Sequence, residues 1–308
     1  MTLDTLEMGT GTWQWGDAIW WGYNKTHTQD DAIAAFEMSL DHGVALIDTA
    51  EIYGQGKSED IIGQALARER LRLDDRPVYI ATKFAPLPYR ISKAQFRSAL
   101  KNSLERLRLH KVDLYQIHWT FPTATEELWA DALADAIDAG TIGAAGVSNY
   151  NREQIIRSHH TLDQRGHGLV SNQVEYHLLK RDIERNGTWD ACRERGISII
   201  AYSPLAMGML TGKYTTENPP PGLRGRKYRK TLLELPPLIA LMHEIGAKHG
   251  DKTPAQVALN WVMVKGAIPI PGAKNASQVK SNAGALGWRL SDDDVAALDE
   301  MSDRITQS

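Results

Sequence analysis

Residues 46–66 read LIDTAEIYGQGKSEDIIGQAL. With Ala45 before them, Leu46 and Ile47 begin as a buried strand should, and the apolar run then stops on Asp48. Tyr53 follows five residues later, and beyond Gly54 and Gly56 the pair Ser58 and Glu59 precedes an apolar-periodic run of Ile61, Ile62, Ala65 and Leu66. That order predicts a strand, a loop carrying an acid and a phenol, and a capped helix.

The same grammar recurs outward from this unit. PVYIATK (77–83) ends on Lys83 and DLYQIH (113–118) on His118, while IGAAGVSN (142–149) ends on Ser148 and Asn149. LVSNQ ends on Gln173, ISIIAYS on Tyr202 and Ser203, and AIPIPGAK on Gly272 and Lys274. With the MGTGTW segment as a short first strand, eight strand-like runs are expected. Helical patterns lie between them at 28–42, 57–70, 92–108, 124–139, 151–160, 184–195, 253–265 and 275–286. Alternating strands and helices imply a parallel sheet with right-handed crossovers, and eight such units point to an α/β fold of the (β/α)8 TIM barrel type. A doubly wound sheet would favour a complete glycine fingerprint after the first strand, of which GTGTWQWG carries only a fragment.

The chain of 308 residues fits one barrel domain, 1–308, with no low-complexity tract to divide it. Its 35 basic and 38 acidic residues give a net charge of −3, which argues against a general nucleic-acid surface. Cys192 is the only cysteine, so no internal disulfide forms. No apolar run reaches membrane-spanning length and MTLDTLEMG lacks a signal-peptide layout, so a soluble, cytoplasmic protein is expected. No metal-ligand cluster is expected.

In a barrel of this kind active sites sit at the C-terminal strand ends, which would gather Asp48, Lys83 and His118 at one mouth with Tyr53 on the adjoining loop. Those residue types suit reduction of a carbonyl. The oxygen gains negative charge and needs a proton donor, which Tyr53 could be if a neighbouring ammonium, Lys83, lowered its pKa. Asp48 would hold Lys83 charged, and His118 would orient the oxygen. Alone, Asp48 reads as a turn or cap residue, Lys83 and His118 as ordinary loop or core groups, and Tyr53 as packing; their joint placement at successive strand ends favours chemistry.

The sequence resembles the aldo-keto reductases over nearly its whole length. The resemblance rests on IDTAEIYGQGKSEDIIGQAL, ATKF, LYQIHW, GVSNY, NQVEYHLL, AYSPLAMGMLTGKY and IPIPGAKNASQVKSN. It implies a catalytic tetrad of Asp48, Tyr53, Lys83 and His118 and a nicotinamide dinucleotide, NADPH before NADH. It further implies that Thr12 and Trp13 contribute to the cofactor site, that Ser148, Asn149 and Gln173 bind the nicotinamide carboxamide, and that Tyr202 stacks on the ring. Ser203, Pro204, Leu205 and Gly208 resemble the pyrophosphate loop, and Gly272, Lys274, Gln278 and Asn282 the adenosine end. Many relatives place an arginine in that last helix where this chain has Gln278, which keeps NADH open as the second cofactor.

Read from the residues alone, Ser148 and Asn149 could instead cap the following helix, and SPLAMG could be a plain turn. The segment 213–237 reads as a long loop with a basic run. Lys213 and Arg224 in it resemble latch residues of the subgroup related to potassium-channel β subunits, the alternative being a solvated face. Trp13, Trp15, Trp20, Trp21, Tyr23, Tyr89 and Trp119 crowd the expected mouth, suggesting an apolar wall for an aromatic or aliphatic carbonyl substrate, with no arginine set as a carboxylate clamp. Two rival functions are an NADPH-binding redox-sensing regulatory subunit and an aldolase using Lys83 as Schiff-base nucleophile.

Overall fold

In the computed structural model, residues 3, 5–69, 77–221 and 223–306 are described below. Eight strands, β1 (Gly9–Gly11), β2 (Leu46–Asp48), β3 (Tyr79–Phe84), β4 (Val112–Ile117), β5 (Ile142–Ser148), β6 (Leu169–Glu175), β7 (Ser198–Tyr202) and β8 (Ala267–Ile270), pair in parallel in the order of the chain. A parallel bridge between Gly11 and Gly272, with the Gly11 N–H donating to Pro271 O at 3.1 Å, joins the last strand to the first. The sheet therefore closes as a barrel.

Because side chains alternate across a strand, every second residue points inward. Leu46, Ala81, Leu114, Ala144, Ile200 and Ile268 pack with Leu3 as an apolar floor inside the barrel. Two residues further along those strands stand Asp48, Lys83, Gln116, Gly146 and Tyr202, and Ser148 and Gln173 share this inward phase. The same alternation that builds the floor thus delivers a polar layer to the C-terminal mouth. Gly146 is required there, since a Cβ would lie 2.4 Å from Ser171 Oγ and 2.9 Å from Gln116 Cγ.

The intervening residues face outward into a larger apolar shell shared with the helices, where Ile47, Ile80, Phe84, Tyr115, Ile117 and Val147 are buried. The helices expected between strands form as α1 (Gln29–Asp41), α2 (Lys57–Glu69), α3 (Lys93–Leu107), α4 (Glu126–Asp138), α5 (Arg152–Asp163) and α6 (Thr188–Arg193). The end of the second pattern, residue 70, lies outside the described residues. Thr28 with Asp31 and Asn151 with Gln154 form capping boxes for α1 and α5, so Asn151, rather than Ser148 or Asn149, caps that helix.

Three expectations are corrected, and further helices are added. The pattern at 184–195 is broken: a 3-10 turn spans Asp182–Glu184 and α6 starts only after Gly187, whose φ of +80° no continuous helix accommodates. Within 213–237, α7 (Leu223–Lys227) and α8 (Arg229–Glu234) replace the expected loop, and α9 (Pro236–Lys248) follows. Leu232 of α8, Leu235 at the junction and Leu238 of α9 are buried there. After α10 (Pro254–Val264) and α11 (Ala276–Ala283), a further helix α12 (Asp292–Thr306) closes the described chain. Finally, Ser58 and Glu59 do not cap α2; both are fully buried and bonded across the barrel wall.

Candidate active site

β2 and β3 run side by side, with Asp48 opposite Ala81 and Lys83 two residues further on. The Lys83 amine donates to Asp48 Oδ1 at 2.5 Å and to Thr49 O at 2.8 Å. The other carboxylate oxygen, Oδ2, accepts from Gln173 Nε2 at 2.7 Å and Gln116 Nε2 at 3.1 Å. Burial pushes the Lys83 pKa down and Asp48 draws it back. The two charges cancel at the floor of the mouth, and both amides support the carboxylate.

Above this pair, the Tyr53 and His118 rings meet edge to face, 5.8 Å apart at 78°. Lys83 Nζ lies 5.1 Å from the centre of the Tyr53 ring, and Trp13 stacks on the same ring at 6.3 Å. Tyr53 sits at the head of a tight turn, Tyr53–Gly56, in which Gly54 and Gln55 take left-handed backbone. Burial first and the Asp48 carboxylate second push the phenol pKa up. This reverses the expectation of a lysine-lowered phenol. The Lys83 amine is engaged by Asp48 and Thr49 rather than by the phenol. His118 is held well below its ordinary value by burial and then by Lys83, and its Nδ1 has no hydrogen-bond partner. The pair is therefore a protonated phenol beside a neutral imidazole.

A cavity of about 860 Å³ opens over these groups. Of the twenty candidate residues read from the sequence, all but Lys83 line it. Tyr202 donates its hydroxyl to Asn149 Oδ1 at 3.0 Å, Asn149 Nδ2 lies 3.1 Å from Ser148 Oγ, and Ser148 donates to Gln173 O at 2.8 Å. Asn149, with a φ of +60°, is held in the left-handed region to make these bonds. Gln173 departs from expectation in one respect: its amide nitrogen donates to Asp48 Oδ2 at 2.7 Å and to Gln116 Oε1 at 3.4 Å, so its carbonyl oxygen is what is left for a ligand.

At the far end, Ser203, Ala206, Met207 and Gly208 all have positive φ, the kind of turn backbone that gathers N–H groups around an anion. Lys213, Arg224 and Lys274 line the same end, and none has a carboxylate partner among the described residues. Burial, then Arg224 and Lys213, lowers the Lys274 pKa, the signature of cations sharing one space. Lys274 donates to Trp21 O at 2.6 Å and Thr26 Oγ1 at 2.9 Å, while Arg224 lies 5.1 Å from the Trp21 ring and donates to Met207 O at 3.2 Å. Gln278 turns back to accept from Lys274 N at 2.8 Å, and Asn282 is buried. Anion-seeking cations, turn backbone and the orphaned buried donor Trp21 Nε1 make this end fit a phosphate-bearing dinucleotide.

Three aromatics expected at the mouth are elsewhere. Trp15 is buried and donates to Ala273 O at 2.7 Å; Tyr23 packs edge-on to His27; Tyr89 is exposed outside the cavity. Their positions in sequence beside mouth residues did not reveal which face they take. Conversely Gln116 was missed, although the alternation of β4 places it inward between Leu114 and His118. Among the described residues no group of three or more His, Cys, Asp or Glu could hold a metal, and no helix is long and apolar enough to cross a membrane.

The sequence pattern of the Aldo/keto reductase family matches residues 7–303. The chain belongs to that family. It is 40% identical over 306 residues to the chloroplastic pyridoxal reductase of Arabidopsis thaliana, covering 96% of this chain and 83% of that protein. To an uncharacterized oxidoreductase of Mycobacterium bovis it is 38% identical over 292 residues, 92% of this chain and 85% of the relative. Among solved structures, the glycerol dehydrogenase of Gluconobacter oxydans superposes with a TM-score of 0.85 at 28% identity, over 98% of this chain and 93% of that one. An aldo/keto reductase of Klebsiella pneumoniae in complex with NADP and acetate gives a TM-score of 0.74 at 27% identity, over 96% and 91%. Family and relatives together support an oxidoreductase.

Proposed function

We propose that this chain, acting as one barrel unit, is an NADPH-dependent carbonyl reductase that converts aldehydes or ketones to alcohols. One observation carries the reading: a single cavity has a protonated phenol and neutral imidazole at one end and three unpaired cations at the other. The NADP-bound structural relative and the oxidoreductase relatives support the cofactor class.

When bound, NADPH supplies the hydride that reaches the carbonyl carbon. Ser148, Asn149, Gln173 and Tyr202 would hold its nicotinamide end, with Thr12 and Trp13 beside them. Residues 203–208 would take the pyrophosphate under Lys213 and Arg224, and Gly272, Lys274, Gln278 and Asn282 the adenosine end. As charge develops on the substrate oxygen, Tyr53 gives up its proton to it; the raised phenol pKa keeps that proton in place until the oxygen becomes the stronger base. Neutral His118 donates an N–H to the same oxygen and fixes its approach. Lys83 cancels Asp48, so the carboxylate does not oppose negative charge arriving above it. Lys83 does not line the cavity and its amine is engaged twice, which counts against a Schiff-base role.

The test is aldehyde-dependent oxidation of NADPH and NADH in parallel, with pyridoxal and glyceraldehyde suggested by the two named relatives and benzaldehyde as a plain aromatic. Turnover with NADPH favoured is the expected result. Tight cofactor binding without turnover of any carbonyl would turn the assignment toward a redox-sensing regulatory protein, and borohydride trapping of substrate without cofactor toward an aldolase.

A further inference from the structure

The cavity is lined by two carboxylates among the described residues, and only one is neutralised. Asp48 is cancelled by Lys83. Asp17, in the loop after β1, lines the cavity with no cationic partner among the described residues. Its carboxylate is fixed by two donors: Trp20 N to Oδ1 at 2.8 Å and Trp13 Nε1 to Oδ2 at 3.2 Å. Its carbonyl accepts from Tyr23 N at 3.0 Å, so the loop is tied around it. Since Trp13 stacks on Tyr53, Asp17 stands one indole away from the proton donor. Lys213 and Lys274 gather at the end suited to phosphates, while Arg224 also borders the recess lined by Trp13 and Trp20. Trp20 and Ile52, 49% and 39% exposed, line the same cavity.

We infer that Asp17 is a specificity-determining residue that makes the enzyme select neutral or cationic carbonyl compounds, aromatic or aliphatic, over anionic ones. The inference rests on the reductase reading above and adds the charge class of its substrate. A fixed carboxylate repels a substrate anion across a partly dry cavity. The indole faces beside it attract a cation by their ring quadrupoles. Two hydrogen bonds prevent the carboxylate from swinging away.

Three aldehydes of one shape test it: benzaldehyde, para-(carboxymethyl)benzaldehyde and para-(trimethylammoniomethyl)benzaldehyde, in which a methylene insulates the carbonyl from the charge. With saturating NADPH, kcat/KM for the cation should exceed that for the anion by about two- to fivefold, the size of a partly exposed charge interaction. The ratio should shrink in high salt, collapse in Asp17→Asn and persist in Asp17→Glu. A ratio of one or below in the wild type overturns the inference. It would assign charge selection to Arg224 and Lys227, which line a recess of about 170 Å³ beside Trp20. A wild-type preference unchanged in Asp17→Asn overturns it also. Failure to turn over any of the three aldehydes strikes the reductase reading itself, and this inference with it, whereas turnover without charge discrimination strikes only Asp17.

Discussion

Lys83 Nζ lies 2.5 Å from Asp48 Oδ1 at the closed floor of the cavity, with the two side chains 0% and 2% exposed. Removing one member of so buried a pair leaves an uncompensated charge, at a cost of about 3–5 kcal/mol, whereas removing both costs less. Asp48→Ala should therefore lower the free energy of urea unfolding by about that amount, and Asp48→Leu with Lys83→Met by clearly less. Without Asp48 the buried lysine has its folded pKa depressed below its unfolded value of about 10.4. The unfolded chain then binds more protons, so Asp48→Ala should gain stability as pH rises toward that value. A pH-independent loss would place the charge elsewhere.

The pH profile of reduction follows from the directions of two shifts. Tyr53 is pushed up, so the donor keeps its proton through neutral and moderately alkaline pH. His118 is held well down, so it stays neutral below the ordinary histidine value. The chemical step should be level from about pH 6.5 to 10, the unperturbed values of these two groups. Single-turnover rates across that range measure it, and a break near either ordinary value would show that the corresponding group is not perturbed in the working enzyme.

Lys274→Ala should weaken NADPH by roughly ten- to a hundredfold, the worth of a charged hydrogen bond of about 1.5–3 kcal/mol, and barely affect NADH. The lysine must first leave Trp21 O and Thr26 Oγ1, which places the expectation toward the lower end. Titration of both cofactors by calorimetry decides between phosphate reading and loop support: equal losses would mean the latter.

Glu59 is fully buried, accepting from Thr82 Oγ1 at 2.6 Å and from Arg106 Nε at 2.7 Å. This link joins α2 and α3 to β3 just below the Tyr53 turn. Arg106→Ala should destabilise the fold by about 3 kcal/mol or more by stranding that charge, and Arg106→Ala with Glu59→Gln should recover part of it. Thermal unfolding of the two variants gives the answer.

Glu59 also shows where sequence reading stops. Strand ends, loop acids and helix periods are local, so the barrel, the mouth and the Asp48, Tyr53, Lys83, His118 grouping could be read from runs of ten residues or fewer. A serine and a glutamate ahead of an apolar run look like a cap. Only the packing of α2 against the barrel, which brings Thr12, Thr49, Thr82 and Arg106 to them, decides that they are spent elsewhere. Gln116 was within reach through the alternation of β4, but no motif flags it. The direction of the Tyr53 shift was not, because it depends on the burial of the phenol and on the nearby Asp48 carboxylate, which no local run shows.

Tyr53→Phe, with chemistry and cofactor binding measured on the same protein, tests whether Tyr53 gives its proton to the substrate oxygen. General acid catalysis is worth roughly 10² to 10⁴ in rate. The single-turnover rate of carbonyl reduction should fall by that factor while the NADPH dissociation constant stays within about twofold of wild type, since the phenol lies apart from the cationic end. A variant retaining more than about a third of the wild-type rate in the chemical step would contradict the account.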